Sequence, residues 1–123
     1  MSLDKLHNKK YISLETLRKN GVSVRTPVWF VISNDIVYVV TRENTGKVKR
    51  VKNNQSVRIA PCNFSGKVDG DWIIGKAEFA AGNEFQNAIK LRNKKYGLLA
   101  KLAGFLSSSK GKLVVFSIKL DSG

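Results

Sequence analysis

Short runs of β-branched and aromatic residues, each closed by a turn signal and never alternating with helices in a parallel rhythm, constrain this chain most. Tyr11 to Leu17 alternates apolar with polar residues, and Asn20-Gly21 after it is a dipeptide that hairpins favour. Val22 to Ile32 reads as a second strand, with Val24, Thr26, Val28, Phe30 and Ile32 on one face and Arg25, Pro27, Trp29 and Val31 on the other. After the turn Ser33-Asn34-Asp35, Ile36 to Thr41 is its hairpin partner. Val57 to Cys62, Trp72 to Ala80 and Leu113 to Leu120 supply three more strands.

Helical spacing is confined to two insertions. Thr45 to Asn54 reads as a short helix with Thr45 as its N-cap and Val48 and Val51 turned inward. From Asn83, an N-cap by residue type, apolar positions follow helical spacing to Arg92, and Leu98 to Leu106 repeat it after Gly97. The expected fold is therefore mainly β, a six-stranded antiparallel barrel decorated by short helices. The chain is read as a single domain over residues 1–123, with 1–8 outside the barrel and flexible.

With 22 Lys and Arg against 9 Asp and Glu, the net charge is +13, which implies an anionic partner more than it implies a fold. Arg42, Lys47, Lys49, Arg50, Lys52 and Arg58 form one basic run, opposed only by Glu43; Lys90, Arg92, Lys94, Lys95 and Lys101 form a second. Cys62 is the only cysteine and His7 the only histidine, so an internal disulfide and a thiolate zinc cluster are excluded on ligand count. A nucleophile paired with a histidine base is disfavoured for the same reason, so no catalytic side chain and no metal site are expected. Cys62 reads as a small buried residue, and Trp72 as a core or subunit-contact residue. No apolar run reaches the roughly 20 residues that cross a bilayer. The N-terminus shows no apolar signal region, so a cytoplasmic protein without a membrane partner is expected.

Two blocks carry the candidate chemistry. Thr45, Gly46 and Lys47 open a helix, where unpaired amides and the dipole favour an anion such as phosphate, with Lys49, Arg50 and Arg25 placed to complete the seat. The same residues also read as an ordinary cap with a solvated lysine. In Arg25-Thr26-Pro27-Val28-Trp29, Pro27 interrupts strand pairing, leaving backbone groups for the polar edge of a flat ring while Val28 or Trp29 lies against its face. An edge-strand proline beside a core tryptophan is the alternative. The stretch Leu98 to Leu106 carries only Lys101, so it reads as a core-facing or dimer-facing helix rather than a membrane-surface one. Aromatic residues are not interleaved with the lysines, which argues against specific nucleic-acid binding.

The order of these blocks, from Tyr11-Ile12-Ser13-Leu14-Glu15-Thr16 through Arg25-Thr26-Pro27-Val28-Trp29-Phe30 and Tyr38-Val39-Val40-Thr41 to Thr45-Gly46-Lys47-Val48-Lys49-Arg50 and Val57-Arg58-Ile59-Ala60-Pro61-Cys62, resembles the pyridoxamine-phosphate-oxidase-like, FMN-binding split-barrel family, and most closely its small deazaflavin-dependent branch. The resemblance implies a split β-barrel homodimer with cofactor sites between subunits. FMN or coenzyme F-420 would act there as hydride carrier toward an unsaturated or quinone-like small molecule. It places Lys47 and Lys49 at the phosphate, Thr41 and Thr45 near the phosphate or ribityl chain, and Arg25, Thr26, Pro27 and Val28 along the ring system. The C-terminal Arg and His pattern that grips a pyridoxal substrate in the oxidase proper has no match here, so vitamin B6 oxidation is not expected. The competing reading is a non-catalytic flavin-binding protein or a basic nucleic-acid-associated one.

Overall fold

A computed structural model describes residues 2–121 of the 123. Seven antiparallel strands form one sheet: β1 (Tyr11–Leu17), β2 (Ser23–Val28), β3 (Val31–Ser33), β4 (Ile36–Arg42), β5 (Ser56–Cys62), β6 (Ile73–Phe79) and β7 (Leu113–Leu120). Their order is β2-β1-β5-β6-β7-β4-β3. Three α-helices, α1 (Gly46–Asn53), α2 (Gly82–Tyr96) and α3 (Leu98–Ser107), interrupt the strands.

The expected strand from Val22 to Ile32 is two strands, which raises the count from six to seven. β2 pairs with β1 and β3 with β4, at opposite edges of the sheet, so the chain crosses from one edge to the other through Trp29 and Phe30. The reason for the break is local. The Phe30 N–H donates to the Tyr96 hydroxyl at 3.0 Å, and the Phe30 carbonyl accepts from Lys95 Nζ at 2.9 Å, so α2 takes the backbone groups that a continuous strand would give to a neighbour. Side-chain alternation survives the break: Val28, Phe30 and Ile32 join the barrel core, while Trp29 and Val31 join a second cluster under α2 and α3. The β3–β4 turn is tight because Asn34 and Asp35 both adopt left-handed backbone, φ 52° and 62°, in the two-residue loop of Ser33↔Ile36.

Within the segment 1–8, expected outside the fold, Ser2–Leu6 form a 3-10 turn whose Leu3 and Leu6 are buried in the barrel core. Met1 lies outside the described residues. Helix α1 buries Val48 and Val51 as its spacing requires, each contributing roughly 1.5–3 kcal/mol by apolar burial. Thr45 occupies the N-cap position with extended backbone, but its hydroxyl donates to the Arg42 carbonyl instead of receiving a helix amide. α2 starts two residues earlier than expected, with Ala81 at the N-cap in place of Asn83, and continues past Arg92 to Tyr96.

On the outer face of β1, Glu15 stands between its cross-strand partners Arg25 and Arg58. Arg58 Nε donates to Glu15 at 2.6 Å and Arg25 Nε at 3.0 Å, and both guanidinium groups lie within 5.0 Å of the Trp72 ring centroid. Glu15 is almost wholly buried, yet its carboxyl is held below its usual range, chiefly by the Arg58 hydrogen bond, against the opposing effect of burial. A depressed folded pKa gives stability that is fully present above the unfolded value of 4.5 and is lost below it, as pH falls through the lowered folded value. Glu15→Gln is therefore expected to lower neutral-pH stability by about 1–2 kcal/mol and to flatten the acid limb of a stability-versus-pH curve, measured by urea unfolding. An acid limb identical to that of the parent would remove Glu15 as its source.

Candidate functional site

Between the β2–β3 break and the inner side of α3 lies a cavity of about 330 Å³. Its apolar wall comes from Pro27, Val28 and Trp29 at the break, Val40 on β4 and Leu113 at the start of β7. Trp29 is fixed there because its ring stacks on Tyr96 with centroids 4.3 Å apart and planes within 8°. Thr41, Thr45 and Ser107 add hydroxyl groups, and Ala103 and Gly104 of α3 close one side with small side chains.

Four cations line the same cavity: Arg42, Lys47, Arg92 and Lys110, with no Asp or Glu among the lining residues. Arg42 is held by neutral acceptors, donating to Ser107 Oγ at 3.2 Å and to the carbonyls of Gly104 and Gly111 at 3.0 Å. Two of these lie near the C-terminal end of α3, where a cation complements the helix dipole. The arginine thus ties α3 to β4, and none of these acceptors is a carboxylate. Lys47 is pushed below the usual lysine range, first by burial and then by Lys110 and Arg50; Arg92 is pushed down by burial and then by Arg42. Both shifts have one origin: positive charge concentrated in a partly dry space. An anion entering it would relieve this repulsion.

Of the residues expected at the site, Pro27, Val28, Thr41, Thr45 and Lys47 converge on the cavity. Arg25 sits in the Glu15–Arg58 ladder on the barrel exterior, Thr26 pairs across from Leu14, Lys49 is exposed on α1, and Arg50 donates to Thr16 Oγ1 at 2.6 Å. The contributions of Arg42, Arg92 and Lys110 were not legible as a site. Arg42 and Arg92 belong to separate basic runs, and only the folded topology brings them to one wall. Cys62 is buried and its thiol is raised, first by burial and then by Asp69, so it is not poised as a nucleophile. Among the described residues no three His, Cys, Asp or Glu side chains cluster as a metal site.

No family model matches this chain, and no curated protein matches it. Solved structures do. HutZ, the heme storage protein of Vibrio cholerae, superposes with a TM-score of 0.73 at 13% identity, covering 94% of this chain and 84% of its own. A FAD-binding protein of Mesorhizobium loti gives 0.66 at 14% identity, covering 98% and 85%. A candidate pyridoxamine 5'-phosphate oxidase of Listeria innocua gives 0.65 at 13% identity, covering 98% and 90%. At such identities the likeness is one of architecture, and this chain has the antiparallel split-barrel fold that these proteins share.

Proposed function

We propose that the cavity binds a planar redox heterocycle through an anionic tail, namely FMN or coenzyme F-420, and that the protein is an oxidoreductase working as a homodimer. The observation that carries this reading is a cavity with four cations, no carboxylate, and an apolar wall ending in a stacked tryptophan. Lys47 with Thr45 and Thr41 would hold the phosphate and its chain, while Pro27, Val28 and Trp29 would seat the ring. When bound, such a ring supplies hydride transfer to an unsaturated or quinone-like acceptor. The chain's own part is to bind, to orient and to keep water from the ring face. The FAD-binding relative supports the flavin class, and the net charge of +13 favours coenzyme F-420, whose tail carries more negative charge.

Titration with FMN and with coenzyme F-420 at low and moderate salt tests the reading. Saturable binding of either, weakening as salt rises, is expected, with the deazaflavin tighter. Tight FMN binding without deazaflavin binding would reverse the cofactor preference, and binding of neither would sink the site. The heme storage relative provides a second spectroscopic outcome. A Soret band in place of flavin absorbance in protein supplied with both would replace this reading with heme binding, for which the only histidine, His7, lines a different cavity.

A further inference from the structure

Helix α3 is inside out. The positions it turns toward the protein, Ala100, Ala103, Gly104 and Ser107, follow the i, i+3, i+4, i+7 spacing of a buried face but are all small. Its large apolar side chains point away: Leu98 is 81% exposed, Leu99 57%, Leu102 57%, Phe105 78% and Leu106 70%. A soluble surface seldom tolerates so many adjacent large apolar groups without something to cover them.

Charge decides what that cover is. Between Gln86 and Leu120 the sequence has no Asp or Glu. Exposed Lys94 lies just before α3, Lys101 on it, and Lys112 just after it. A second copy laid face to face on this helix would bring these lysines against their own equivalents. An anionic lipid surface meets both demands, accepting leucine and phenylalanine into its acyl boundary and lysines at its headgroups.

We propose that α3 docks on an anionic membrane surface, lying in the interface with Leu98, Leu102 and Phe105 inserted and the flanking lysines on the headgroups. This is peripheral attachment: no helix of the described structure is long and apolar enough to cross a membrane. Of the two readings of Leu98 to Leu106, core-facing or dimer-facing, the core-facing one fails because its large side chains are the exposed ones, and Lys101 does not act alone because the lysines come from the segments on either side. The inference is independent of the cofactor reading. The same helix lines the cavity with its inner face, so the docked protein would hold that cavity one helix diameter, roughly 10 Å, from the lipid.

The test is co-sedimentation of the full chain with vesicles of phosphatidylcholine alone or of phosphatidylcholine with phosphatidylglycerol, paired with analytical ultracentrifugation. Binding to the phosphatidylglycerol vesicles, reduced by salt and on the order of tenfold weaker or more with Leu102→Glu/Phe105→Glu, is the expected result. Because both side chains are exposed, the double variant should keep the parent's circular dichroism and melting temperature. Lys101→Glu/Lys112→Glu should weaken binding to phosphatidylglycerol vesicles and leave the weaker association with phosphatidylcholine unchanged. Failure of the parent protein to sediment with phosphatidylglycerol vesicles overturns the proposal. So does a dimer that the Leu102→Glu/Phe105→Glu change dissolves, since a second copy would then be the cover.

Discussion

Lys47→Glu should lower affinity for FMN or coenzyme F-420 on the order of 100-fold while leaving the protein as stable as its parent, or slightly more so. The first part follows from losing a charge-assisted contact, about 1.5–3 kcal/mol, and adding repulsion in a space with little water to screen it. The second follows from the site's own electrostatics. Lys47 is held below the usual lysine range first by burial, which a carboxylate would share, and then by repulsion from Lys110 and Arg50, which a carboxylate would turn into attraction. Opposite signs for binding and stability separate a ligand-binding lysine from a structural one. Lys47→Met should give a smaller affinity loss, about tenfold, because it removes attraction without adding repulsion. Fluorescence or absorbance titration gives the affinities and urea unfolding the stabilities. Unchanged retention in Lys47→Glu would remove that residue from the site, and a loss of stability equal to the loss of affinity would mark it as structural.

Local patterns carried the strands well because each hairpin signal acts over a few residues. Asn20-Gly21 and Asn34-Asp35 join antiparallel neighbours as their turn chemistry demands, and Val48 and Val51 are buried as helical spacing requires. The break at Trp29-Phe30 was invisible locally, because its cause is the Tyr96 hydroxyl and the Lys95 amine, more than sixty residues away in sequence. Burial of Leu3 and Leu6 was hidden for a similar reason: a polar N-terminal segment shows no periodicity that announces a barrel plug. For the site, the two sequence blocks supplied Pro27, Val28, Thr41, Thr45 and Lys47, which are local to the β2 end and the α1 start. Arg25 and Arg50 carry the right charge, but cross-strand geometry gives them other partners, Glu15 and Thr16. Arg92 and Lys110 reach the cavity from the far insertion, and residue type alone could not show which lysines and arginines of a +13 chain would do so.

Tyr96→Ala should destabilise the protein by about 4 kcal/mol and weaken ligand binding, whereas Tyr96→Phe should cost about 1–2 kcal/mol and leave binding nearly intact. Tyr96 performs two separable tasks. Its hydroxyl accepts from the Phe30 N–H at 3.0 Å and donates to the Lys10 carbonyl at 2.7 Å, satisfying buried backbone where the chain leaves one sheet edge for the other. Its ring stacks on Trp29, which lines the cavity, and packs in the cluster with Val31, Ala88 and Ala100. Removing the hydroxyl strands a buried donor but keeps the stack; removing the whole side chain also opens a cavity under Trp29 and frees that indole to leave its position. The hydroxyl adds a pH signature. Burial, the main cause, pushes its pKa up to about 12 from 10.0, so the unfolded chain releases this proton first as pH rises and stability falls between those values. Tyr96→Phe should abolish that part of the alkaline loss. Urea unfolding across pH, with ligand titration of both variants, separates the tasks: equal affinity loss in the Phe and Ala variants would show that the hydroxyl, not the stack, positions the site wall.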